Sequence, residues 1–343
     1  MAEDKKLLRI EHLTTSFRIN DQYYAAVDNV SLDVNKNEIL AIVGESGSGK
    51  SALAFSIVGL HDKLNTKIEG EINYKDNNIT NLPERKLNKL RGKEMGMIFQ
   101  DPLTALNPLM TIGNQIDESL ELHTKLNKPN RRKKVLDLLQ QVGIPNPEVT
   151  YNQYPHELSG GMRQRVVIAI AISCDPEFLI ADEPTTALDV TIQSQILDLL
   201  KKLKSETNSG IILITHDLGV VAEMADRVAV MYAGQIVELA PVVELFKNPL
   251  HPYTRSLLQS NPSVNEVKTK LHVIQGIVPS LDKLPRQGCR FKDRIPWLAE
   301  SAHDEDPVLQ EVKPGHFVRC SCYKHFEFPN SSKEAARDGV IGS

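Results

Sequence analysis

The chain has 343 residues, 41% hydrophobic and 24% charged, with 40 Lys and Arg against 44 Asp and Glu and a net charge of −4. That length suits about two domains of ~150 residues and a core that needs no staples, and the balanced charge gives no electrostatic case for DNA or RNA. The start is charged with no apolar stretch behind it, and the longest apolar runs, 166–172 and 211–214, fall far short of the ~20 residues of a membrane span. Four cysteines, Cys174, Cys289, Cys320 and Cys322, are too few and too clustered for a secreted disulfide framework, so a reducing, cytosolic setting is expected.

In chain order, residues 7–34 alternate polar and apolar and predict antiparallel strands. Residues 38–43 form a short apolar strand that enters a Gly-rich turn and then a helix over 51–58, with Gly59 as its stop. A strand over 67–74, a polar helix over 83–91 and a strand over 95–99 follow. From 101 to about 155 the pattern turns helical, with helices over 112–123 and 131–142 and breaks at Pro145 and Pro147. Helix 161–173, strand 178–181, helix 191–206, strand 210–215 and helix 218–225 come next, then a hairpin 227–232/235–240 around Ala233-Gly234. This alternation implies an α/β core with a parallel sheet carrying a helical subdomain at 101–155. Beyond about Leu250 the periodicity fades, so residues 1–255 are expected to form the core domain and 256–343 a small, irregular C-terminal extension.

Gly44-Glu45-Ser46-Gly47-Ser48-Gly49-Lys50-Ser51 matches the phosphate loop G-x-x-x-x-G-K-[ST]. Its glycines let the backbone turn N–H groups inward, and the helix N-terminus behind them adds to an anion site. Lys50 can reach the β- and γ-phosphates of ATP, and Ser51 can place its hydroxyl on Mg²⁺. The apolar strand before Asp182 and Glu183 delivers two carboxylates: Asp182 to hold Mg²⁺ with Ser51, and Glu183 to polarise the attacking water.

A third motif sets the class. Leu158-Ser159-Gly160-Gly161-Met162 opens a helix and resembles the LSGGQ signature of the ABC ATPases, with Met162 in the Gln position. The resemblance implies a P-loop NTPase fold, a mixed sheet with flanking helices, an antiparallel β subdomain and a helical subdomain. It also implies that Ser159, Gly160, Gly161 and Met162, with Asp189 of a D-loop at Ala187-Leu188-Asp189, contact ATP held by a partner subunit. Gln100 resembles the Q-loop glutamine, which would join Ser51 and Asp182 at Mg²⁺, and His216 resembles the switch histidine, so the resemblance implies a catalytic set of Lys50, Gln100, Glu183 and His216. ATP would lie against Gly44, Glu45, Ser46, Gly47, Ser48, Gly49, Lys50, Ser51, Ala52, Gln100 and Asp182, with Phe17 stacking on adenine and Tyr23 and Tyr24 as rivals.

Two further stretches, 100–116 (QDPLTALNPLMTIGNQI) and 248–258 (NPLHPYTRSLL), look like the oligopeptide/dipeptide permease branch. In that branch the D-type ATPase subunit pairs with a second, homologous ATPase. The pair serves two membrane permease subunits and an extracytoplasmic peptide-binding protein, and sits peripherally on the cytoplasmic face of the membrane. Nickel, glutathione and other small-solute importers have similar ATPases. A soluble ABC ATPase of repair or translation usually carries two cassettes or a long coiled coil, and neither pattern occurs here. Many relatives ligate an iron–sulfur cluster with four tail cysteines. Here Cys289 and Cys320 match two of these positions, Ile295 and Ala302 fill the others and Cys322 is extra, so a cluster is not expected. Zinc held by Cys320, Cys322 and His316 or His325 is the alternative to reduced, unligated thiols.

Overall fold

The computed structural model describes residues 6–75, 77–80, 82–185, 188–260 and 276–328. The chain opens with Lys6–Ile19 (β1) and Gln22–Asn35 (β2), then runs Ile39–Val43 (β3), Lys50–Val58 (α1), Thr66–Tyr74 (β4), Asn77–Asn78 (β5), Glu84–Leu90 (α2) and Met95–Ile98 (β6). The helical stretch holds Pro102–Ala105 (α3), Ile112–His123 (α4), Lys128–Gln141 (α5) and Pro147–Thr150 (α6), and leads into Gly160–Ile172 (α7). Phe178–Asp182 (β7), Val190–Thr207 (α8), Gly210–Ile214 (β8), Leu218–Met224 (α9), Arg227–Tyr232 (β9) and Gln235–Pro241 (β10) complete the alternating core. Val242–Lys247 (α10), Pro252–Gln259 (α11), Leu309–Lys313 (β11) and His316–Arg319 (β12) close the described chain.

The strands form two sheets. One is antiparallel, in the order β2-β1-β4-β5; the other has eight strands, in the order β11-β12-β10-β9-β3-β8-β7-β6. Within the second, β6, β7, β8, β3 and β9 run parallel, and β10, β12 and β11 are antiparallel to their neighbours. Their sequences explain the difference. β3 (ILAIV), β7 (FLIAD) and β8 (GIILI) are buried at every position, as strands covered on both faces must be. β1 alternates, burying Leu8 and Ile10 while exposing Arg9. The parallel arrangement brings the carboxyl ends of β3, β6, β7 and β8 to one edge, where such sheets bind ligands.

The helical stretch packs as amphipathic faces. Ile112, Ile116 and Leu120 of α4 and Val135, Leu138 and Leu139 of α5 join α7 and α8 in one buried cluster. Cys174 sits half-buried against Ser119 at the margin of that cluster.

The extension is more ordered than its sequence indicates. β12 pairs with β10, Val318 opposite Glu238 and Phe317 opposite Leu239, so the tail adds two strands to the main sheet. Its pattern hides this because β11 is mostly exposed and β12 buries polar residues. Of these, His316 is held by Glu238, itself fully buried, whose carboxylate accepts from Leu250 N–H at 2.8 Å and His251 N–H at 2.9 Å and lies 2.8 Å from His316 Nε2. His316 is therefore occupied by Glu238, and His325 is exposed; neither joins the tail thiols. Replacing Glu238 by Ala removes one buried charge and strands three donors. Such a loss costs about 3–5 kcal/mol, which a denaturant midpoint will register; a loss below about 1 kcal/mol, the range of an exposed pair, would contradict this role.

Candidate functional site

The turn after β3 can only be made by these glycines. Gly49 caps α1 at φ 103°, and a Cβ there would lie 2.4 Å from Ala26 O. A Cβ on Gly44 would lie 2.1 Å from Met231 O. The loop is thus wedged between β2 and β9 with no room for a side chain at either end. The Lys50 ammonium curls back over it, donating to Gly44 O at 2.8 Å and Glu45 O at 2.9 Å. Burial pushes the Lys50 pKa down, while Glu183, Asp182 and Glu45 pull it up. A cation buried on neutral carbonyls is well placed to meet an anion, because both gain from the partner.

Asp182 ends β7 and is buried. Burial raises its pKa; a hydrogen bond from Ser51 and the charge of Lys50 oppose that rise, and Glu183 adds to it. Ser51 and Asp182 thus meet as the oxygen pair a hard divalent cation takes. Glu183 leaves the strand direction at φ 47°, its N–H donating to Ile214 O at 2.9 Å. Its carboxylate accepts from Gln100 Nε2 at 3.1 Å and lies 3.4 Å from His216 Nδ1. Three groups placed after β6, β7 and β8 therefore converge beside Lys50, as the parallel sheet order requires.

Ser159 caps α7, its hydroxyl accepting from Met162 N–H at 3.3 Å. A Cβ on Gly160 would meet nothing within 4 Å, and Ser159 and Gly160 are exposed, so this helix start faces open space. Asp189 caps α8 in the same manner, accepting from Ile192 N–H at 3.0 Å; Ala187 of the D-loop lies outside the described residues. The signature helix touches the glutamine loop through Gln164 Nε2, which donates to Phe99 O at 3.4 Å. Among the described residues no hydrogen bond joins Ser159, Gly160, Gly161 or Met162 to residues 44–51. Phe17 is half-buried, edge-on to His61 at 5.2 Å between centroids; Tyr23 is exposed, and Arg286 lies over the Tyr24 ring.

The sequence pattern does not show how α11 and the extension behind it grip the phosphate loop. Tyr253, fully buried, accepts Glu45 N–H on its hydroxyl at 2.8 Å. Arg294 holds the Glu45 carboxylate with two nitrogens, at 2.5 and 3.2 Å, and Arg290 binds Asp28 and Ala233 O. The only signal was Tyr253 within the HPYTR segment; the arginines come from a stretch with no periodicity.

Comparison with known proteins accords with this geometry. Residues 27–186 match the family model described as ABC transporter, and residues 237–297 match the one described as oligopeptide/dipeptide transporter, C-terminal region. The dimeric ATP-binding cassette MJ0796 in a post-hydrolysis state bound to ADP and Pi aligns with a TM-score of 0.63 at 29% identity, covering 68% of this chain and 98% of that one. The fold and loop thus define an ATP-binding cassette. The oligopeptide transport ATP-binding protein OppD of Lactococcus lactis subsp. cremoris is 51% identical over 98% of this chain and 99% of its own length. The oligopeptide transport ATP-binding protein AppD of Bacillus subtilis is 50% identical over 93% of this chain and 97% of its own. The chain belongs to the ABC transporter family, in the oligopeptide/dipeptide branch of its ATP-binding proteins.

Two expectations follow. Gly49→Ala, strained at positive φ and clashing with backbone, should cost about 1–3 kcal/mol and abolish binding of a fluorescent ATP analogue; retained binding would show that the loop can relax. Tyr253→Phe deletes the acceptor for Glu45 N–H and should weaken ATP binding severalfold with a stability loss of about 1 kcal/mol, read by titration and thermal melting; unchanged affinity would limit Tyr253 to packing.

Proposed function

We propose that this chain is the ATP-hydrolysing subunit that drives import of peptides through a membrane permease. The observation that carries the reading is the meeting of Gln100, Glu183 and His216 beside the Lys50 loop, in a chain about half identical to peptide-transport ATP-binding proteins along nearly its whole length. ATP lies with its phosphates on the N–H groups of residues 44–51, and Lys50 moves from the loop carbonyls to the β- and γ-phosphates. Ser51 and Asp182 would hold Mg²⁺, assisted by Gln100; the ion supplies charge neutralisation at the phosphate oxygens. Glu183 accepts a proton from the attacking water at its carboxylate, with Gln100 and His216 fixing that carboxylate and His216 reaching the γ-phosphate. Phe17 is the proposed adenine partner.

The exposed start of α7 completes the site from a second subunit. Ser159, Gly160, Gly161 and Met162 offer their donors to the γ-phosphate on a homologous ATPase chain, and Asp189 faces the same boundary. The helical subdomain at 101–155 passes the closing motion to two permease subunits, and an extracytoplasmic binding protein supplies the peptide. In this arrangement the chain sits peripherally on the cytoplasmic face of the membrane. Among the described residues no helix is long and apolar enough to cross a bilayer.

Glu183→Gln should bind ATP normally while hydrolysis falls about 10²-fold or more; turnover near the unsubstituted rate would remove Glu183 as the base. Lys50→Ala should weaken ATP binding by at least about tenfold, the scale of a charged hydrogen bond, with circular dichroism confirming the fold. Equal affinity would refute the loop assignment.

A further inference from the structure

The extension gathers a second set of chemically active groups on the main sheet's far side from the glutamine loop. Cys289, His303, Cys320 and Cys322 each bring one ligand atom into a single group, all four atoms lying within 4.8 Å of one another. The three thiols are buried and free of disulfides. Both ring nitrogens of His303 are buried with no hydrogen-bond partner. An orphaned buried imidazole is costly, and ligation would give one nitrogen its partner.

The residues do not fit the four-cysteine cluster found in related tails. Ile295 is an apolar side chain at 1% exposure within the core, and Ala302 has no ligand atom, so two of those four positions are chemically silent. Cys322 and His303 supply donors instead. The compactness of the set also matters. A four-iron cluster binds each thiolate to a different iron and spreads the sulfurs apart, whereas one ion with Zn–S of about 2.3 Å and Zn–N of about 2.0 Å needs tetrahedral edges of roughly 3.5–3.8 Å. Four atoms within 4.8 Å reach that with a small inward movement.

We propose that Cys289, His303, Cys320 and Cys322 form a tetrahedral zinc site that braces the extension against the nucleotide-binding core. Three thiolates and one imidazole are a donor set for zinc. The two halves of the site are already tied together: Asp304, next to His303, accepts Ser321 N–H at 2.6 Å, and Ser321 separates Cys320 from Cys322. The third segment, at Cys289, carries Arg290 and Arg294, which hold Asp28 and Glu45. Zinc therefore fixes the turn from which two guanidiniums reach the core. Three thiolates and one Zn²⁺ also leave net negative charge near the buried Arg319, whose hydrogen bonds go to the neutral carbonyls of Ile236 and Pro307.

The test uses the full chain purified without chelator. Elemental analysis should find one zinc per chain, and cobalt exchanged into the site should show thiolate-to-metal charge transfer and the intense visible bands of tetrahedral coordination. In the native chain, alkylation followed by mass spectrometry should leave Cys289, Cys320 and Cys322 protected until a strong chelator is added. His303→Ala should lose the zinc, and His303→Cys should keep it. The alkylation pattern of the unsubstituted chain decides the matter if a variant fails to fold. Absence of zinc together with failure to take up cobalt, iron with acid-labile sulfide, or a disulfide among the three tail thiols would each overturn the proposal.

Discussion

Everything at the nucleotide edge depends on how closely the backbone after β3 approaches its neighbours. The carbonyls of Ala26 and Met231 press on Gly49 and Gly44 so tightly that neither can carry a Cβ. That contact fixes both ends of the loop at once, one against the antiparallel sheet and the other against the main sheet. It also fixes the start of α1 and hence Lys50 and Ser51. A looser loop could still contain the same residues, but their donors would not face one volume. Lys50 and Asp182 both bear the cost of burial there, the one losing pKa and the other gaining it. Each is partly compensated by the other, and a phosphate with its cation matches both charges.

The same loop is braced from outside the cassette. Tyr253 and Arg294 hold the N–H and the carboxylate of Glu45, and Arg290 holds Asp28 at the edge of the antiparallel sheet. The extension is thus mechanically part of the nucleotide site although it supplies none of the phosphate-facing residues. Its own attachment runs through Glu238, which gathers the start of α11 and β12 around one buried carboxylate.

The legible part of the sequence was the part governed by local rules. The alternation of short apolar strands with helices announced a parallel sheet, and the glycines at 44, 47 and 49 announced a turn that needs them. The convergence of Gln100, Glu183 and His216 followed once each was placed at a strand end of one sheet. The tail was illegible because its order comes from long-range polar pairing. β12 reads HFVR, a segment with polar ends that no alternation identifies, and its burial rests on Glu238 at His316 and on the carbonyls of Ile236 and Pro307 at Arg319. His303 is illegible for a different reason: it meets Cys289, Cys320 and Cys322 only through the fold, whereas His316 and His325 lie nearer Cys320 and Cys322 in sequence.

The signature segment sets the limit of what one chain can do. Ser159 spends its own oxygen on the Met162 N–H, but the backbone at Gly160 remains open and unobstructed, and glycine there brings no side chain to shield it. This helix start is left uncovered, and residues 44–51 share no hydrogen bond with it among the described residues. Within the chain the segment is linked to the opposite half only indirectly, by Gln164 to Phe99 and so to Gln100 beside Glu183. A γ-phosphate gripped by two chains would pull on both ends of that link. Under the proposed pairing, its loss on hydrolysis would free them together and pass a small chemical change beside Glu183 to the helical layer.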